Sequence, residues 1–143
     1  MNSKKENDIS KNNQGNEFKT FVVPFFKEGL RGIINTNTSS SFSKDQIINK
    51  ALKLHSEGNI KEAEKYYQYL INQGFSHPYV LSNYGVLCRR KGKVDFAKRL
   101  FLKSISLYPN HVDSYSNLSF LLKENGDLEG ALRYIKKAIK LNP

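Results

Sequence analysis

Asparagine stands at Asn49, Asn83 and Asn117, each 34 residues from the next. A carboxamide offers one acceptor and two donors, so it can pair with a peptide group through both, whatever side chain that peptide carries. Three such groups in register would hold an extended polypeptide by its backbone, which is recognition rather than reaction. The other chemistry-bearing residues point the same way. The sequence holds no Gly-rich phosphate loop, no H-E-x-x-H, no paired cysteines, and no Ser or Cys nucleophile beside an evident base. His77 and His111 are also 34 residues apart, but a metal there would need two more ligands, so neither metal nor cofactor is expected. The single cysteine, Cys88, reads as a small core hydrophobe; it excludes an internal disulfide framework and fits a reducing compartment. The chain is expected not to be an enzyme.

The 34-residue step governs the elements that would position these groups. It separates Gly58, Gly92 and Gly126; Ala63, Ala97 and Ala131; Ile60, Val94 and Leu128; and Pro109 from Pro143. Ser43 with Gln46 is a capping-box start, and Ile47, Ala51 and Leu54 follow at helical spacing. The pattern predicts about six helices in three helix-turn-helix units, 44–77, 78–111 and 112–143, within an all-α domain over 43–143. Residues 1–42 differ in kind. The stretch to Gln14 is polar, 36–41 has linker composition, and between them lies the apolar segment 18–26, FKTFVVPFF, where Pro24 argues against helix. A largely disordered arm is expected, with segment 18–26 docked on the helices or serving as a linear motif. The net charge of +10 favours acidic partners without choosing among them. No apolar run reaches the roughly 18 residues a membrane span needs, and the polar start lacks a secretory core, so a cytoplasmic protein is expected.

A helix-turn-helix unit repeating every 34 residues resembles the tetratricopeptide repeat, over about 100 residues of this chain. Numbered from Lys44, Pro78 and Val112, the family's signature positions fall on Tyr115, Leu118, Ser119, Leu122, Ala131, Ile135 and Pro143 in the third unit. The second gives Leu81, Tyr84, Gly85, Cys88, Ala97, Phe101 and Pro109. The first gives Ile47, Lys50, Ala51, Leu54, Ala63, Tyr67 and Phe75, departing at Lys50 and at the closing proline, as suits an end unit with no preceding neighbour. The resemblance implies a solenoid in which signature positions 4, 8 and 11 pack on the second helix of the unit and the small residue at position 20 lets the two approach closely.

In such an array function lies on surfaces. With about 100° per residue, position 6 points away from the packing stripe, with positions 2, 9 and 13 beside it. The family places these on the concave side. They are Asp45, Asn49, Leu52 and Ser56; Tyr79, Asn83, Val86 and Arg90; and Asp113, Asn117, Phe120 and Glu124. The three asparagines resemble the ladder in the repeat arrays of O-linked N-acetylglucosamine transferases, whose helices carry stretches similar to Leu81-Ser82-Asn83-Tyr84-Gly85; the alternative is a structural role, since asparagine is common at this position across the family and can bond neighbouring helix backbone. The expected partner is a protein or extended peptide, its backbone held by Asn49, Asn83 and Asn117 and its side chains selected by Tyr79, Val86, Arg90 and Phe120. Asn83→Ala is expected to weaken binding with little change in stability. The two-carboxylate clamp of chaperone-binding arrays is not matched, since Ile48, Leu52, Asp113 and Asn117 stand where that clamp has its polar and basic residues. Nucleic-acid binding through the basic cluster 89–103 is a less favoured alternative, because those charges spread over several helix faces. A non-catalytic targeting region of a glycosyl- or sulfo-transferase is another. Leu132, Ile135 and Ile139 would lie partly uncovered on the last helix, as expected of a recognition part detached from a longer protein; self-association through that face and coverage by the arm are the alternatives.

Overall fold

The computed structural model describes residues 43–143, so the expectations for the arm and for segment 18–26 lie outside the described residues. Six helices follow one another: α1 (Lys44–Ser56), α2 (Ile60–Asn72), α3 (Pro78–Arg90), α4 (Val94–Leu107), α5 (Val112–Glu124) and α6 (Leu128–Leu141). Among the described residues there is no strand. The helices pair as hairpins α1–α2, α3–α4 and α5–α6, and the hairpins stack so that α1, α3 and α5 are successive neighbours. The architecture is an all-α solenoid.

Local chemistry explains the boundaries. Ser43 Oγ accepts from Gln46 N at 3.2 Å and Gln46 Oε1 accepts from Ser43 N at 2.8 Å, which satisfies two otherwise orphaned donors at the start of α1. Pro78 occupies the first turn of α3, where its missing N–H costs nothing. Each hairpin turns at the same glycine, Gly58, Gly92 or Gly126, with φ between +73° and +82°, a region other residues enter only with strain.

The core is the signature stripe. Ala51, Leu81, Cys88 and Leu122 are buried on the first helices, facing Ala63, Tyr67, Ala97, Phe101 and Ala131 on the second. The closest approach is in the middle hairpin. A Cβ built on Gly85 would lie 2.4 Å from Phe101 Cε1, so the ring occupies the space that any side chain at 85 would need. Between hairpins, Tyr84 packs on Tyr67, ring centroids 6.4 Å apart, and Leu118 fills the equivalent place at the next junction. Lys50, in the same column of the first hairpin, meets no preceding hairpin among the described residues and is exposed. Cys88 is fully buried, and burial pushes its thiol above the ordinary range, so it behaves as core rather than nucleophile.

Gly85→Ala and Ala97→Leu both drive atoms into this contact. Each is expected to destabilise the chain by about 1–3 kcal/mol, measured by urea denaturation, whereas Gly85→Ala would be neutral or stabilising were the helix merely gaining propensity.

Candidate functional site

All twelve positions that helical geometry assigns to the inner face lie on the first helices, and none is buried. Asp45, Asn49 and Ser56 on α1 are exposed and Leu52 is half-buried; on α3, Asn83 and Val86 are half-buried and Arg90 is exposed. Tyr79 is 49% exposed and Phe120 50%, unusual for aromatic rings and therefore available to a partner. Asp113, Asn117 and Glu124 complete α5, none of them buried.

The three asparagines are not equivalent. Asn83 Nδ2 donates to the Tyr67 hydroxyl on α2 at 3.2 Å, and Asn117 Nδ2 donates to Ser82 Oγ on α3 at 3.2 Å. Each therefore uses one N–H to tie its helix to the preceding hairpin. Their side-chain oxygens receive no hydrogen bond from the described residues. Asn49 makes no side-chain hydrogen bond within the described residues and is exposed. The expectation that Asn83→Ala leaves stability alone is thus revised, because the change strands the fully buried Tyr67 hydroxyl.

The basic cluster is partly neutralised by the fold. Arg89 Nη1 donates to Glu124 Oε2 at 2.7 Å while its guanidinium lies 4.4 Å above the Phe120 ring, joining α3 to α5. Lys91 Nζ donates to Glu64 Oε1 at 2.6 Å, joining the start of the second turn to α2. Arg90 stays exposed beside His55.

Histidines form the part of this face that side-chain periodicity alone did not assign. His77 and His111 precede α3 and α5, with Tyr79 between them at 5.8 Å and 4.9 Å from the two rings, the latter edge to face. His111 Nδ1 lies 2.8 Å from Ser114 Oγ, which is 2.7 Å from Ser104 Oγ. Nε2 is buried without a hydrogen-bond partner among the described residues, 3.9 Å from Asp113 Oδ2. Burial lowers the pKa of His55, His77 and His111 below the ordinary imidazole value; Arg90 adds to the effect at His55 and His111 at His77, while Asp113 opposes it at His111. The recurrence of His77 and His111 at the repeat step is the sequence signal that could have marked them. Among the described residues no group of three or more His, Cys, Asp or Glu is placed to hold a metal ion, and no helix is long and apolar enough to cross a membrane.

A family model for the tetratricopeptide repeat matches residues 100–133, one repeat length running from α4 into α6. The step seen in the sequence and the stacked hairpins seen in the fold agree with it. The match covers one repeat, and the other two hairpins are similar to it in step and arrangement. Protein CTR9 homolog of Arabidopsis thaliana is 29% identical over 127 residues, which cover 86% of this chain and 11% of that protein. The chain thus spans about a ninth of the length of the relative it matches. Tetratricopeptide arrays are protein-interaction modules in general, and the inner face of this one presents amides, carboxylates and rings rather than an acid–base or nucleophilic constellation.

The imidazoles of this array set a pH dependence. Their pKa values are lowered in the fold, so between those values and the unfolded value of about 6.5 the unfolded chain binds more protons. Stability is fully present above that value and falls as pH drops through and below it. Thermal melts from pH 7.5 to 5.5 should show a falling midpoint, and replacing His55, His77 and His111 together by Gln should flatten the slope.

Proposed function

We propose that the array binds an extended polypeptide segment along its inner face, with Asn49, Asn83 and Asn117 pairing with the segment's backbone and Tyr79, Val86, Arg90 and Phe120 contacting its side chains. The observation that carries this reading is the tethering of Asn83 and Asn117. One N–H of each is fixed on the preceding hairpin, which holds the amide in a set orientation and leaves the carbonyl oxygen without a protein partner. Pre-orientation lowers the entropy lost on binding. The setting proposed is cytoplasmic, consistent with a free and buried Cys88, and the role that of a non-catalytic recognition part. The nucleic-acid alternative has less support, because Arg89 and Lys91 already hold carboxylates.

A peptide-array screen with the full chain, followed by calorimetry on the best binder, tests the reading. Asn49→Ala, at an exposed residue that makes no side-chain hydrogen bond among the described residues, should weaken binding by about 1–3 kcal/mol with no shift in melting temperature. Asn83→Ala should weaken binding comparably and also lower the melting temperature. Wild-type affinity in both variants would eliminate the amide grip.

A second reading concerns α6. Leu128, Leu132 and Ile139 are exposed there, and a depression of about 510 Å³ opens between α5 and α6, lined by Phe120, Leu128, Leu132 and Ile135. We propose self-association through this face. A head-to-tail contact would press it on α1, where Lys50 stands in place of Tyr84 or Leu118, so the favoured arrangement is face to face. Sedimentation analysis should show a concentration-dependent dimer that Leu132→Glu with Ile139→Glu abolishes; a strict monomer at all concentrations would rule it out.

A further inference from the structure

We propose that the N-terminal rim of the inner face, the strip Asp45, His77, Tyr79, His111 and Asp113, receives lysine or arginine side chains, so that the bound segment alternates basic with apolar residues. This rests on the groove reading above and adds its polarity.

The strip is continuous from His77 to Asp113. His77 stands 5.8 Å from Tyr79, Tyr79 meets His111 at 4.9 Å, and His111 Nε2 lies 3.9 Å from Asp113 Oδ2. At its near end Asp45 and Lys44 act on His77 with opposite signs. Its outer residues suit a cation. Asp45 and Asp113 are exposed carboxylates, and the half-exposed Tyr79 offers a ring whose face attracts positive charge. Its inner residues add none of their own. The His111 side chain is only 10% exposed, and its Nε2, 3.9 Å from Asp113 Oδ2, has no hydrogen-bond partner among the described residues. Held neutral by burial, the imidazole leaves the exposed carboxylate uncompensated.

Charge is distributed against the composition. Of the nine carboxylates and seventeen basic side chains between residues 43 and 143, the twelve inner positions hold three carboxylates and one base, Arg90. Glu124 is already matched by Arg89 on the opposite rim, so the uncompensated negative charge lies on the N-terminal one. Lys44, the base beside the strip in sequence, is drawn over the Phe75 ring at 4.8 Å. The positive ends of α1 and α5 favour a carboxylate in the first turn, which accounts for Asp45 and Asp113 as parts of the fold. It does not account for a half-exposed phenol in the same column of α3. An extended chain sends alternate side chains to opposite sides. One set then meets the apolar row Leu52, Val86 and Phe120, and the other meets the strip.

The test uses the full chain and three fluorescein-labelled nine-residue peptides in which valine alternates with lysine, with glutamine or with glutamate. Anisotropy titrations should rank them lysine, glutamine, glutamate, the first binding about tenfold or more tighter than the last, as expected for charge complementarity. Asp45→Asn with Asp113→Asn should cost the lysine peptide about fivefold and leave the glutamine peptide within about twofold. Tyr79→Leu, which keeps the apolar bulk, should also weaken the lysine peptide selectively. Equal affinities, or a preference for glutamate, with Asn49→Ala still weakening every peptide, would overturn the polarity and spare the groove. Binding of none of the three, or binding indifferent to Asn49→Ala and Asn83→Ala, would overturn the groove reading and this inference with it.

Discussion

The whole array depends on how closely two helices can lie within a hairpin. In the middle repeat the Phe101 ring sits where a side chain at 85 would be, and Ala97 keeps the opposite wall low. Ala63 and Ala131 hold the same place in the outer repeats. This contact spans few atoms, yet it sets the angle at which the helices cross and therefore which residues of α1, α3 and α5 are left outside the core. Inner-face side chains inherit their positions from it. Bulk at the packing stripe would not merely strain the core; it would rotate the amides and rings that a partner meets.

Stacking the hairpins is a different problem, and the chain solves it with polar side chains as well as apolar ones. Tyr84 and Leu118 fill the junctions, but Asn83, Asn117, Lys91 and Arg89 cross them with hydrogen bonds and ion pairs. The Tyr108 hydroxyl adds another by donating to the Ser76 carbonyl at 2.9 Å. Such contacts are directional, so they fix the rotation between neighbours where an apolar surface alone would tolerate sliding. The asparagines consequently serve two masters: structural ties through one N–H, and open hydrogen-bonding capacity through the rest of the amide.

Much of this was legible in the sequence because packing repeats. Columns of Ala, Gly and apolar residues at one step report the helices, their turns and their buried stripe, and the substitution of Lys50 for a junction residue marks the first unit. Helical geometry alone was enough to place Asn49, Tyr79 and Phe120 on an outward face. What the sequence withheld were relations between repeats. The partners of Asn83 and Asn117 are a phenol and a hydroxyl on the preceding hairpin, and Arg89 finds Glu124 a full repeat away, none of which follows from period. The period shows His77 and His111 one repeat apart, but only the stacking brings Tyr79 between them.

The middle repeat is joined differently at its two ends. Its front presents Asn83 and Tyr84 to Tyr67 of the unit before it, and its back presents Ser82 to Asn117 of the unit after. Phe101 stands one repeat after Tyr67 and has no hydroxyl, so in a tandem copy of residues 78–111 the amide would have to pair as Asn117 does, with Ser82. Each added copy would extend the inner wall by one more amide and one more ring, making the length of the recognised chain a matter of gene duplication rather than redesign.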